Sequence, residues 1–344
     1  MKAARFYMPH EPLRLEQVPV PEIGPDDVLL DVKATGICGS DIHILEGVTP
    51  TGFTPITLGH EIAGVVAEAG ANVVGWKPGD RACVDCITFC GSCYNCLRGR
   101  ESICVSRKLL GIHLDGGLAE YVRVPARNLI HLPENIPFEH GAIITDAVAI
   151  PYHALTKRAN FQLGQTLAVF GVGGLGYHAV QLGRLAGAAK VIAVDVISRN
   201  LERARVVGAD VVIDSFKDDP VKVIKDITAG EGVDVALECI GLKRTIQQCI
   251  ESVRVGGKAV LIGLGPDPIE TLPPTIFVRS EIEIIASYFF ERGEIQQLVE
   301  LAANGRLNLS GSVTKRLPLE KVNTALEHLE KKVGNPIRIV ITQD

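Results

Sequence analysis

The rhythm of apolar and polar positions takes three forms along the chain. From Val28 to Val124 short alternating runs such as Val28-Leu29-Leu30-Asp31-Val32 and Glu61-Ile62-Ala63-Gly64-Val65-Val66 are interrupted by Gly or Pro. Interruptions at intervals of roughly 8 to 12 residues suit a mostly antiparallel barrel or sandwich. From about Thr166 to Ser287 short apolar runs alternate with helix-length amphipathic segments. The pattern predicts strands at Thr166–Phe170, Lys190–Asp195, Val211–Asp214, Val233–Glu238, Lys258–Ile262 and Glu281–Ala286. It predicts helices between them, such as Tyr177–Ala186 and Asn200–Val207, from apolar residues three and four apart. Near-continuously apolar strands joined by crossover helices describe a doubly wound parallel sheet buried on both faces. The tail holds two helical patterns, Glu294–Asn304 and Leu319–Lys331, and a last strand, Ile337–Thr342. That strand has no place after six parallel ones and is expected to return to the β-rich domain.

A discontinuous first domain follows, residues 1–150 together with 290–344, with the parallel-sheet domain at 151–289. Two domains also suit the 344 residues, because single cores stop growing at roughly 250 to 300 residues. Charge then narrows the partners. With 35 Lys+Arg against 40 Asp+Glu, a net charge of -5 and no basic run, the chain lacks the footprint that nucleic-acid binding needs. No stretch approaches the roughly 18 consecutive apolar residues of a membrane span. Lys2, Arg5, Glu11 and two prolines occupy the first 14 residues, where a signal peptide needs an apolar core. A cytoplasmic protein is expected, and its nine cysteines are then metal ligands, catalytic groups or core residues rather than disulfides.

Four of them are Cys90, Cys93, Cys96 and Cys104, spaced Cys-x2-Cys-x2-Cys-x7-Cys. Thiolates this close can form a tetrahedron around one Zn²⁺, and a closed four-sulfur shell leaves no place for substrate. A structural zinc is expected; unligated thiols or an iron–sulfur cluster are the alternatives. Gly171-Val172-Gly173-Gly174-Leu175-Gly176 follows a predicted strand and opens a predicted helix, with Asp195 at the end of the next strand. In that setting Gly171 permits the tight turn, Gly173 lets backbone approach a pyrophosphate, and Gly176 allows close helix packing. Asp195 would bind the adenosine ribose hydroxyls and repel a 2′-phosphate, favouring NAD over NADP. Arg199 would pair with a phosphate if its loop turned inward, and is otherwise a solvent-facing residue at a helix start.

A further set is dispersed: Gly36-Ile37-Cys38-Gly39-Ser40-Asp41-Ile42-His43, then Gly59-His60-Glu61. Taken alone, Cys38 reads as a small buried residue and His60 as a satisfied core histidine. Together with the four-cysteine lobe and the glycine motif, in this order, they resemble zinc-dependent medium-chain alcohol dehydrogenases over nearly the whole chain. The resemblance implies an α/β protein with a GroES-like β-rich catalytic domain and a Rossmann domain. It makes Cys38 and His60 the first ligands of a catalytic zinc. The third would be Asp146, which could instead cap a helix beginning at Ala147. Two zincs per chain and NAD are implied as cofactors.

Glu61 would join the coordination shell transiently or act from behind it; a salt-bridged role is the alternative. Ser40 would touch the alcohol and relay its proton toward His43, their other readings being a turn hydroxyl and a surface histidine. Also by resemblance, Arg338 would contact the cofactor pyrophosphate, Ile240, Gly263 and Leu264 the nicotinamide half, and Cys86 the substrate-pocket wall. Cys83, Cys239 and Cys249 read as core residues and Trp76 as turn packing. The implied reaction moves a hydride between NAD and an alcohol, giving an aldehyde or ketone. A polyol, sugar or amino alcohol is the alternative substrate, and a non-catalytic NAD- and zinc-binding module the alternative class. Relatives of this kind are commonly tetramers, so a homo-oligomer is expected.

Overall fold

A computed structural model describes residues 1–343. The chain divides into two compact units, Met1–Asp146 with Glu291–Asp344, and Ala147–Phe290. In the second, the continuously apolar runs become six strands. They are β1 (Thr166–Phe170), β2 (Lys190–Asp195), β3 (Val211–Asp214), β4 (Val233–Glu238), β5 (Val253–Leu261) and β6 (Glu283–Ala286). All pairings are parallel, in the order β3-β2-β1-β4-β5-β6. The order reverses between β1 and β4, and a crevice for a ligand opens at the carboxyl ends of the strands on either side of such a switch. One face of the sheet packs Phe170, Ile192, Ile213 and Ala236 against Ile224, Ile246 and Ile250 from the helices. Continuous burial explains why these strands carry no alternation.

Four strands match the expected limits. β5 begins at Val253 rather than Lys258, because Val253 pairs with Val233 across an irregularity that an apolar-run count cannot see. β6 begins at Glu283, since Glu281 caps the preceding helix at φ 48°.

In the first unit the strand Asp27–Ile37 is central. It pairs antiparallel with Glu61–Ala69, with Tyr121–Pro125 and with the last strand, Arg338–Thr342. The last strand therefore does return to this unit. There it also pairs parallel with Val313–Pro318, an arrangement the alternating pattern does not predict. The register sets Gly36 beside Glu61 on one side and Val340 on the other. Cys38, His60 and Arg338 thus converge at one end of three neighbouring strands. Trp76 stacks on His131 at 3.8 Å, a packing role at the domain surface. Among the described residues no helix is long and apolar enough to cross a membrane.

Candidate active site and metal centres

The segment after Asp27–Ile37 turns at once into a helix, Gly39–Leu45, with Cys38 as its N-cap. The turn is held by Asp41, whose Oδ2 accepts from the Cys38 backbone N–H at 2.9 Å. The other oxygen of Asp41 lies 3.7 Å from His60 Nδ1. Facing Nδ1 toward a carboxylate leaves Nε2 as the nitrogen available to a metal, the usual way a ligating histidine is oriented. No role for Asp41 came from the sequence, although the Cys38-x-x-Asp41 spacing is that of a capping box and was open to reading.

Asp146 arrives from the helical stretch Phe138–Arg158. It lies inside a π-helical turn, Ile144–Val148, between two α-helical segments. The helix-cap alternative is thereby removed, because residues on both sides are helical. Such bulges widen a helix locally and re-aim a side chain, often at functional sites. Asp146 Oδ2 lies 3.4 Å from Cys38 Sγ. For a thiolate and a carboxylate sharing one tetrahedral Zn²⁺ about 3.5 Å is expected from ordinary bond lengths. One ligand atom from each of Cys38, His60, Glu61 and Asp146 falls within 4.8 Å of the others. Gly36 makes room for Glu61, since a Cβ there would overlap its carboxylate.

The charge balance of this cluster is unusual for a buried place. Glu61, Asp41 and Asp146 are nearly or fully buried, and Arg338, 4% exposed, is the cation among them. Arg338 Nη2 donates to Asp146 Oδ2 at 2.9 Å and lies 2.7 Å from Glu61 Oε1, the latter an ion pair without hydrogen-bond alignment. Arg338, expected at the cofactor pyrophosphate, is thus placed against two carboxylates of the metal cluster.

Burial pushes the Cys38 thiol up to about 12, helped by the negative charge of Asp146. Burial likewise holds Glu61 well above the usual carboxylate range, with Arg338 opposing, and burial raises Asp41. For His60 burial disfavours the charged ring, yet Asp41, Asp146 and Glu61 outweigh it and raise its pKa. Asp41 Oδ1, His60 Nδ1 and both Glu61 oxygens are buried without a hydrogen-bond partner. Surplus acids, orphaned acceptors and an S/N/O donor set fit a divalent zinc.

Ser40 and His43 stand three apart on the Gly39–Leu45 helix and so share a side of it. Ser40 Oγ is 3.7 Å from Cys38 Sγ. Cys86 is fully buried, and Asp146 and Glu61 are among the charges that raise its thiol pKa after burial and Asp85.

The four-cysteine lobe is a second centre. Its Sγ atoms lie 3.5 to 3.9 Å apart along four edges. A Zn²⁺ with four sulfurs requires edges of about 3.8 Å. Backbone N–H groups of Ser92 and Cys93 pull the Cys90 thiol down to about 6, and those of Cys96 and Val105 lower Cys93, favouring the thiolates a metal needs. Glu291 fastens the lobe: its carboxylate accepts from the N–H groups of Glu101 and Ser102 and from Ser102 Oγ at 2.6 Å. No motif or periodicity signals this tie across 189 positions.

Beneath the lobe Asp85 is buried, its Oδ1 accepting from Ile87 N–H, and burial pushes its carboxyl up to about 7. A raised acid favours the protonated form in the fold. Its stabilisation is full below the unfolded value near 3.8 and is lost as pH climbs to about 7. Asp85→Asn keeps the acceptor and removes the charge. Its stability relative to the parent is expected to rise by about 2–4 kcal/mol between roughly pH 4 and pH 7. Denaturant unfolding of both proteins at each pH measures this; a gap that stays constant contradicts it.

In the second unit the glycine turn follows β1 and opens the helix Gly176–Leu185. Gly171 has φ 83°, and Gly176 packs so closely on Gly171 that a Cβ would strike its carbonyl oxygen. Gly173, Gly174 and Leu175 between them are half-buried. Asp195 ends β2 and binds the turn: Oδ2 accepts from Val172 N–H at 2.8 Å and from Asn200, Oδ1 from Ile197 N–H. Arg199 is exposed in the first turn of the next helix. Ile240, Gly263 and Leu264 sit just past β4 and β5, at the same carboxyl end. Cys83 and Cys249 are fully buried and Cys239 half-buried.

Two family models match the chain in succession: the alcohol dehydrogenase GroES-like domain over residues 24–134 and the zinc-binding dehydrogenase over 174–304. An NAD-dependent alcohol dehydrogenase of Sulfurisphaera tokodaii is 34% identical, covering 98% of this chain and 100% of its own. A sorbitol dehydrogenase of Bacillus subtilis is 33% identical over 99% of this chain and 97% of its own. Among solved structures, a zinc-binding dehydrogenase of Sinorhizobium meliloti bound to NADP has a TM-score of 0.93, with 32% identity and 99% of each chain covered. Likeness that runs nearly end to end through both units fixes the kinship: the chain belongs to the zinc-dependent medium-chain alcohol dehydrogenase family.

Proposed function

We propose that this protein oxidises an alcohol to an aldehyde or ketone with NAD, reversibly, at the cluster of Cys38, His60 and Asp146. The carrying observation is that three ligand types and a surplus of buried negative charge meet within 4.8 Å. Zinc held there would supply Lewis acidity toward the alcohol oxygen, and NAD would accept the hydride. One thiolate, one carboxylate and a neutral imidazole bring zinc to zero net charge, as two thiolates would, so its electrophilicity is kept. Asp41 faces Nδ1 of the His60 ring at 3.7 Å, and the π-turn aims Asp146. Ser40, beside Cys38, takes the hydroxyl proton and passes it toward His43, since a site that excludes water needs its own proton path.

The glycine turn with its helix N-terminus receives the pyrophosphate. Asp195 receives the adenosine ribose. Asp195→Ser is expected to reduce the preference for NAD over NADP by about tenfold or more, the worth of a charged hydrogen bond. Competing NAD and NADP saturation curves measure it, and a parent enzyme that already prefers NADP would refute the assignment.

A polyol is the second reading, favoured by the carboxylate ligand and by the likeness to a sorbitol dehydrogenase. An absorbance screen of primary, secondary, cyclic and poly-ols with NAD, with zinc measured on the same sample, decides between them. Two zincs per chain are expected. One zinc with full activity would overturn the site. Exposed Ile269, Ile276 and Val278, in the stretch that leads to the edge strand β6, support a homo-oligomer, proposed as a tetramer and tested by light scattering. Nine unpaired cysteines suit a cytoplasmic, reducing setting.

A further inference from the structure

Glu238 is the last residue of β4 and is fully buried, yet neither metal centre uses it. Its Oε1 accepts from the backbone N–H of Ile240 and of Gly241, both at 3.0 Å, and from Thr245 Oγ1 at 2.7 Å. Its Oε2 also accepts from Gly241 N–H. The Glu238 carbonyl accepts from Ile262 and Gly263 N–H, so one residue grips the loop after β4 and the loop after β5. Burial raises the pKa of this carboxyl, while Thr245 and the N–H groups of Gly241, Ile240 and Gly263 pull it back.

The two loops touch backbone to backbone. Gly241 has φ 90°, and a Cβ on it would strike the Leu264 carbonyl; one on Gly263 would strike Gly241, Ile240 and the Glu238 carboxylate; one on Gly265 would strike the Gly241 carbonyl. Ile240 in turn packs against Gly171, where a Cβ would meet its side chain. Three loops leaving β1, β4 and β5 are therefore locked together at the switch in strand order. Ile240 and Leu264 nevertheless stay 40% and 63% exposed, as surfaces that await a ligand do.

We propose that Glu238 is a positioning residue for the nicotinamide half of the cofactor, holding Ile240–Gly241 against Gly263–Leu264 so that their shared surface fits that half. This rests on the reading of the crevice as an NAD site. ADP-ribose has the adenosine and pyrophosphate parts without the nicotinamide, so calorimetric titration of NADH and ADP-ribose separates the two ends.

Glu238→Gln keeps one acceptor oxygen and turns the other position into a donor facing N–H groups. It is expected to weaken NADH by at least about tenfold, the scale of a lost charge-assisted bond, while ADP-ribose changes by less than about twofold. Thr245→Val leaves the Glu238 carboxylate intact and removes the hydroxyl that it shares with the Leu242 carbonyl, and is expected to weaken NADH by a few-fold, again sparing ADP-ribose. It also serves if the glutamine variant fails to fold. Equal weakening of both ligands, or of neither, overturns the positioning role. A parent protein that binds neither ligand overturns the cofactor reading and this inference with it.

Discussion

Asp146→Ala is expected to contain one zinc per chain instead of two and to lose activity by at least about a thousandfold. The lobe of Cys90, Cys93, Cys96 and Cys104 shares no residue with the other cluster, so its metal stays. What goes is the third protein ligand that a catalytic site requires. Lewis-acid stabilisation of developing charge is worth several kcal/mol, and each ~1.4 kcal/mol is tenfold in rate. Asp146→Cys separates ligation from carboxylate chemistry, because a second thiolate restores both ligand number and the net charge. It is expected to keep two zincs and measurable turnover. Metal analysis with initial rates on the same preparations tests both variants. Full zinc and near-parental rates in the alanine variant would show that Asp146 is not a ligand.

The parallel sheet was readable in the sequence because burial on both faces writes itself as apolar runs of strand length. The four-cysteine lobe was readable because its ligands are local in sequence. The catalytic cluster is different in kind. Cys38, His60 and Asp146 come from a helix cap, a strand entry and a π-turn, and no periodicity links them; family likeness brought them together. The π-turn was not read from the sequence, although a signal was there: Pro151 has no N–H for the carbonyl of Ala147, four residues back and inside the turn. Two long-range ties were also hidden. Glu291 holds the lobe, and Arg338 joins Glu61 and Asp146. Each depends on register and on where the chain re-enters the first unit, neither of which a single sequence states. Arg338 shows what carry-over leaves out: the family pattern gave it a cofactor role, and its tie through Nη2 to Glu61 and Asp146 came only with the fold.

That tie has a measurable consequence for stability. In metal-free protein, Arg338 is the cation that faces Glu61 and Asp146, and those carboxylates, with Cys38 and Asp41, raise its own pKa against the effect of burial. Arg338→Met fills similar space and removes the charge, leaving two buried acids to share one apolar neighbour. Breaking a buried pair in this way costs about 3–5 kcal/mol, because the remaining charge is unpaired. Zinc brings two positive charges to the same carboxylates, so it should offset much of the loss. The expected result is a large drop in unfolding free energy with chelator present and a much smaller one with zinc saturating, both read by denaturant titration. Arg338→Lys, which keeps a charge but not the planar fork, should recover part of the loss. An equal drop with and without zinc would mean that Arg338 acts through packing alone, and the charge balance inferred for the catalytic cluster would have to be redrawn.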